Sequence, residues 1–139
     1  MSRVLLAVDG SIHSDNAVRF VIDLARRGRL DIHLVTVQPM LPGGVRTFVP
    51  KELINNFYND EGRKALSSAR ALLDAAGLAY ETHIAIGPVA RAIVEFADKL
   101  DCGQIVMGSR GHGATAGLLL GSVATGVIAG STQPVTIVK

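Results

Sequence analysis

The sequence predicts an α/β fold: a single doubly wound domain over residues 1–139. It is built on a five-stranded parallel sheet flanked by four helices, with the common order 3-2-1-4-5 or its flavodoxin-like relative. Three observations predict it. Short apolar runs alternate with longer segments whose apolar residues recur every three or four positions. Glycine or proline stands at most of the junctions between them. The resulting order, β-α-β-α-β-α-β-α-β, requires crossovers between parallel strands, and right-handed crossovers put helices on both faces.

Val4 to Val8 is a continuous apolar run closed by Asp9 and Gly10, as suits a strand buried on both faces. Ser11 or Ser14 can cap the helix that follows, where Ala17, Val18, Val21, Ile22 and Ala25 share one stripe and Gly28 ends it. Ile32 to Val37 is the second strand. Residues 38–50 hold three prolines and two adjacent glycines and read as a long connecting loop of the kind that serves as a lid or binding loop. Residues 51–76 predict a helix with Ile54, Phe57, Ala65, Ala69, Leu72 and Leu73 inward, stopped by Gly77. Leu78 to Ile86 is the third strand, with a wet face at Glu81 and His83. Gly87-Pro88 opens a helix carrying Ala90, Ile93, Val94, Ala97 and Leu100. Gln104 to Met107 is a short fourth strand, a helix begins near Gly121, and Val135 to Val138 is the last strand.

Composition narrows the function. The chain is 48% hydrophobic, enough for a packed core and too much for a disordered tail. No apolar run reaches the ~18–20 residues of a membrane span, and Asp9 comes too early for a signal peptide. The expected setting is cytoplasmic, with no membrane partner. A net charge of +2 and 4% aromatic content do not suit nucleic-acid binding. The lone Cys102 excludes an internal disulfide and reads as a small buried hydrophobe. His13, His33 and His83 are scattered, with no metal-site spacing. Arg26, Arg27 and Arg29 complement the end of the first helix. No acidic residue follows Asp101, which leaves the C-terminal third hospitable to an anion.

In a sheet of this kind ligands bind beyond the carboxyl ends of the strands where the winding reverses, here strands 1 and 4. Strand 1 ends in Val8-Asp9-Gly10-Ser11 and strand 4 in Met107-Gly108-Ser109-Arg110-Gly111. In the second segment Gly108 allows a sharp turn off the strand. Gly111 and Gly113 permit unusual backbone angles and close approach of amides to an oxyanion. Gly121 and Ser122 stand at a helix start, whose free amides and dipole suit a phosphate; equally, the glycines only make a tight loop and Ser122 only a cap. A Walker-type loop is excluded, because no lysine occurs between Lys99 and Lys139. Gly111 to Ala116 fits G-x-G-x-x-A, but no acid follows to hold a ribose, so the match is accidental.

Gly108-x2-Gly111-x9-Gly121-Ser122 resembles the nucleotide-binding signature of the universal stress protein family. The resemblance runs the whole length: VLLAVDGS at the start, VTV in strand 2, Gly87-Pro88, IVMGSRG, and the terminal PVTIVK. It implies the adenine nucleotide alpha hydrolase-like, Rossmann-like fold with this strand order, dimerisation, and ATP binding with or without magnesium. By resemblance Asp9 is the ribose-binding acid; a cap of the following turn is its plainer role. Val37 corresponds to the position that meets adenine, and Met107 packs on the base. Gly108, Gly111, Gly121 and Ser122 correspond to ribose and phosphate contacts, and Val123 offers its amide. Ala7 and Gly10 flank the acid with mild departures from the family pattern, and Ala7 joins the ATP-binding set. Arg110 and His112 either reach a terminal phosphate or remain solvated loop residues.

If strand 5 is an edge, its PVTIV run exposes unpaired backbone groups. Pairing Val135–Val138 with a second copy would cover them and make a homodimer, as the resemblance also implies. The expected function is an ATP-binding, non-catalytic or barely catalytic nucleotide-responsive regulator in the stress response, with protein partners unspecified. Bound nucleotide would order loops 38–50 and 108–120. The alternative is a slow ATPase or a phosphoryl- or nucleotidyl-transferring enzyme; a third reading is a dimeric interaction protein without nucleotide. Phosphoryl transfer wants a metal, cations and a base, and here no catalytic residue or metal site can be assembled from the sequence.

Overall fold

The apolar run at the N-terminus becomes the centre of the sheet. In the computed structural model, which describes residues 2–112 and 119–139, β1 (Ser2–Ala7) lies between β2 (Leu30–Gln38) and β4 (Gln104–Gly108). β3 (Tyr80–Ile86) and β5 (Val135–Val138) close the two edges. All four pairings are parallel, as the crossover argument requires, and the order is the expected β3-β2-β1-β4-β5. β1 reads apolar at every position from Val4 to Ala7 because both its faces are covered. Alternate residues feed two cores. Val4, Leu6, Ile32 and Leu34 pack under α1 (Ile12–Arg27) and the long helix Lys51–Ala75. Leu5, Val35, Ile105 and Met107 pack under the helices Val89–Lys99 and Ser122–Gly130.

Ser11 is the N-cap of α1: its side chain accepts a hydrogen bond from Ser14 N, and Ala17, Val18, Val21 and Ile22 are buried as the periodicity requires. The connection after β2 departs from expectation. Residues 43–48 form a short helix, α2 (Gly43–Phe48), so the sheet carries five helices rather than four. Thr47 Oγ1 donates to Gly43 O within it, and none of its residues is buried. Two glycines at its start conceal it, because local hydrogen bonds rather than apolar packing hold it.

In α3 (Lys51–Ala75) the inward stripe is Ile54, Tyr58, Gly62, Leu66, Ala69 and Leu73. Phe57, expected inside, is 46% exposed, and Tyr58 takes the buried place, its hydroxyl accepting from Leu41 N at 2.8 Å. Gly62 explains the slip. Its Cα faces Ile84 of β3, where a Cβ would come within 2.7 Å of the isoleucine side chain. The closest helix–sheet approach thus falls at a residue that an apolar pattern does not register. β3, at the edge, is mixed in burial, and the face expected to be wet is only partly so: Glu81 is exposed, but His83 is half-buried against Phe96 of the helix Val89–Lys99. α4 (Val89–Lys99) and α5 (Ser122–Gly130) complete the layers. Cys102 is buried, and burial pushes its thiol up.

Candidate functional site

A crevice of about 710 Å³ opens beyond the carboxyl ends of β1, β2 and β4. All ten residues singled out from the sequence line it: Ala7, Asp9, Val37, Met107, Gly108, Arg110, Gly111, Gly121, Ser122 and Val123. Gly113, the remaining glycine of the loop, lies outside the described residues. The volume falls within the ~300–1,000 Å³ range of small-molecule sites.

One end of the crevice is apolar. Val35 and Val37 of β2, Ala7 of β1 and Met107 of β4 meet Val89 and Ile93 of α4 there. Val37, Ala7 and Met107 also belong to the core beneath α4 and α5, so the wall is rigid because it is core. The other end is polar and built mostly from backbone. Gly121 is the N-cap of α5, and among the described residues no side chain caps that helix. The first-turn amides of Ser122, Val123 and Ala124 therefore lack intrahelical partners where these residues face the crevice. With the helix dipole behind them, they suit an anion.

Asp9 stands between the two ends. Gly10 takes a positive φ of 85° and turns the chain from β1 into the α1 cap. Ser11 N (2.9 Å) and Ser14 Oγ (2.8 Å) donate to Asp9 Oδ1, and His112 N donates to Oδ2 at 3.2 Å. Burial works to raise this carboxyl, but the hydrogen bonds from Ser11, Ser14 and His112 outweigh it and hold it below its ordinary value. Asp9 thus caps the turn and also presents an ionised carboxylate to the crevice. His112 is exposed, but its ring is tied down: Nε2 donates to Asp9 O at 2.8 Å, joining the β4 loop to the β1 loop.

The glycines serve a purpose different from the one their spacing suggested. Gly111 does not take a positive φ. Its missing side chain makes room for Asp9, since a Cβ would strike Oδ2. Gly108 ends β4, and a Cβ there would sit 2.7 Å from the backbone carbonyl of His13 in α1. These positions require glycine for close approach rather than for backbone angle. Gly121 N donates to Ser109 O at 2.8 Å, which fixes the start of α5 beside the end of β4.

Sequence reasoning missed the wall contributed by α3. Glu61, Lys64 and Ala65 line the crevice mouth, with Lys64 Nζ 3.3 Å from Glu61 Oε1. Their i, i+3, i+4 spacing marks one helix face, but the apolar stripe, read one position off, hid it. Gln38, Pro39 and Ser14 were missed as well.

Two of the three histidines that the sequence left scattered come together. His33 of β2 and His83 of β3 meet with Nδ1 and Nε2 3.0 Å apart and rings stacked, beside Phe96 of α4. Burial, then the neighbouring His33, pushes the His83 imidazole below its ordinary value.

The fold and crevice define a doubly wound α/β protein with an anion-friendly cleft at its topological switch point. The model of the Universal stress protein family matches residues 1–139, and the chain belongs to that family. Universal stress protein MJ0531 of Methanocaldococcus jannaschii is 32% identical over 138 residues, covering 99% of this chain and 81% of the relative. Among solved structures, the universal stress protein from Archaeoglobus fulgidus in complex with dAMP superposes with a TM-score of 0.70 at 31% identity, covering 100% and 98% of the two chains. A universal stress protein in complex with cAMP gives 0.74 at 27% identity, covering 99% and 97%. Among the described residues, no helix is long and apolar enough to cross a membrane.

Proposed function

We propose that the crevice binds ATP and that the chain acts as a nucleotide-responsive regulator rather than a turnover enzyme. The observation that carries this reading is the convergence of the Asp9 carboxylate and the uncapped start of α5 on one cleft with an apolar end. The dAMP and cAMP complexes of two relatives support an adenine nucleotide. In this reading Val37, Ala7 and Met107 flank the base. Asp9 accepts from the ribose hydroxyls. Gly108, Gly111, Gly121, Ser122 and the Val123 amide surround the phosphates, and Arg110 and Lys64 supply positive charge at the mouth. The preference for a triphosphate rests on that second polar end and its two cations.

Turnover is disfavoured by the carboxylates that line the crevice. Asp9 is committed to three hydrogen bonds, and Glu61 faces Lys64, so neither is poised as a base for an attacking water. Where magnesium accompanies the nucleotide, it would share the phosphate end.

The test is to purify the protein without added nucleotide, denature it, and identify what is released by chromatography. Intact ATP supports the reading. ADP with steady phosphate release favours a slow ATPase, and nothing bound even after titration favours an interaction protein without nucleotide. Gly121→Val should abolish retention, because its side chain would enter the cleft beside Arg110 and Ser122. Wild-type affinity in that variant would refute the phosphate placement.

The same proposal includes a homodimer through β5. β5 is an edge strand whose four residues are all partly exposed, and strand-to-strand pairing with a second copy would satisfy its free backbone groups. Sedimentation at micromolar concentration should show a dimer; a stable monomer would overturn this part.

A further inference from the structure

Four residues back along β2 from Val37, about 13 Å at the ~3.3 Å rise of a parallel strand, lies a polar cluster that the crevice does not use. We propose that His33, Glu81 and His83 form a binding site for a divalent transition metal, with zinc the best match. The sheet register creates it. His33 pairs with Glu81 and Val35 with His83, so all three side chains share the face beneath α4. One donor atom from each lies within 4.8 Å of the other two. His33 Nδ1 is 3.0 Å from His83 Nε2 and 3.4 Å from Glu81 Oε2. Ligands bound at ~2.0–2.1 Å around tetrahedral zinc stand about 3.3 Å from one another. Two of the three separations already match, and Glu81, 69% exposed, can swing to bring the third into line.

The second observation is the far side of the His33 ring. His33 is only 5% exposed, and its Nε2 is buried without a hydrogen-bond partner among the described residues. The Asp31 carboxylate lies 3.3 Å from it, close but off line. Asp31 is itself held by Arg3 Nε at 2.7 Å, and Arg3 Nη1 donates to Leu100 O at 2.6 Å. A proton on Nε2 facing Asp31 leaves Nδ1 as a lone pair directed at His83 and Glu81. A carboxylate behind a ligating imidazole is the arrangement that fixes tautomer and ring orientation in metal sites. A small rotation of the ring toward the metal would bring Nε2–H into line with Asp31 and satisfy the orphaned nitrogen. On binding, the proton shared between the two imidazoles moves to His83 Nδ1.

The donor set selects the metal. Two imidazoles and one carboxylate suit zinc and its first-row neighbours, whereas magnesium and calcium want oxygen. The Asp31 carboxylate pairs with Arg3, and Lys99 Nζ is drawn to the Phe96 ring, 5.7 Å from its centroid. Three protein ligands with exposure at Glu81 leave a fourth position for water or for a group from a partner.

The experiment is titration of the full chain, stripped with chelator, with Zn²⁺ by calorimetry and with Co²⁺ by visible absorption. One equivalent should bind, and ¹⁵N imidazole signals of His33 and His83 should shift while those of His13 and His112 stay in place. Glu81→Gln and His83→Gln should each weaken binding about tenfold or more, and Asp31→Asn, a positioning residue, about tenfold. Glu81 is exposed at an edge strand, so its variant keeps the test alive if His83→Gln fails to fold. The proposal is overturned by the absence of saturable binding below about 100 μM. Wild-type affinity in the Glu81→Gln and His83→Gln chains, or shifts at His13 or His112 instead, would also overturn it, leaving a hydrogen-bonded histidine pair.

Discussion

The crevice beside β1 and β4 and the histidine cluster on β2 and β3 share one sheet and are built in opposite ways. The crevice is made of backbone: turns at strand ends, glycines that let chains approach, and the open amides of α5. The cluster is made of side chains projecting from the middle of two strands, brought together by register across 50 residues of sequence. A backbone site tolerates little change at its glycines and much at its side chains. A side-chain site shows the reverse sensitivity. The position of Asp9 is intermediate, a side chain held almost wholly by backbone and hydroxyl donors.

The strongest way to break this contrast is Gly108→Ala. The added Cβ would press on the His13 backbone, which cannot move without shifting α1. A loss of about 1–3 kcal/mol is expected, near the upper end because no flexible side chain can yield. Urea denaturation measures it, and an unchanged midpoint would mean the crevice is less tightly built than described.

Asp9→Asn comes next. It keeps the size of the side chain but replaces one acceptor oxygen with a donor, at a cost of about 1–2 kcal/mol at neutral pH. The pH dependence then separates the two regions. The Asp9 carboxyl is depressed in the folded protein, so its contribution is present above its ordinary value of 3.8 and lost as pH falls through the lower folded value. The difference between wild type and Asp9→Asn should therefore shrink in acid. The His83 imidazole is also depressed, so the unfolded chain takes up its proton first as pH falls below 6.5. Stability should decline from there in the wild type and decline less in His83→Gln. Denaturation curves from pH 7 to 3 on the three chains check both windows, and parallel curves throughout would deny both assignments.

The smallest effect is expected at Gly62→Ala, on the opposite face of β3 from the histidines. Helix propensity favours alanine by about 1 kcal/mol. The clash at 2.7 Å is with Ile84, whose side chain can adjust at an edge strand. The net change should lie within about 1 kcal/mol of zero. A loss as large as that of Gly108→Ala would show that α3 meets the sheet as rigidly as α1 does.

The crevice was legible in the sequence because its parts are contiguous. Asp9 with its turn and Gly108 to Ser122 with its spacing each occupy one short segment, and parallel topology brings strand ends together. The reason for the glycines was not legible, since close approach of His13 to Gly108 or of Asp9 to Gly111 involves partners outside the motif. Glu61 and Lys64 were missed because a single glycine shifts the buried stripe of α3. α2 was missed because it buries nothing and begins with two glycines.

Local chemistry by itself determined the element order, the parallel sheet, the capping of α1 and the two segments that line the crevice, since periodicity, turn residues and chirality act over short stretches of chain. Tertiary structure alone decided which residue stands beside which across strands. His33 reaches His83, and Asp31 lies behind it, only because β2 and β3 align in one register. A slip of one residue would have turned these side chains to the other face.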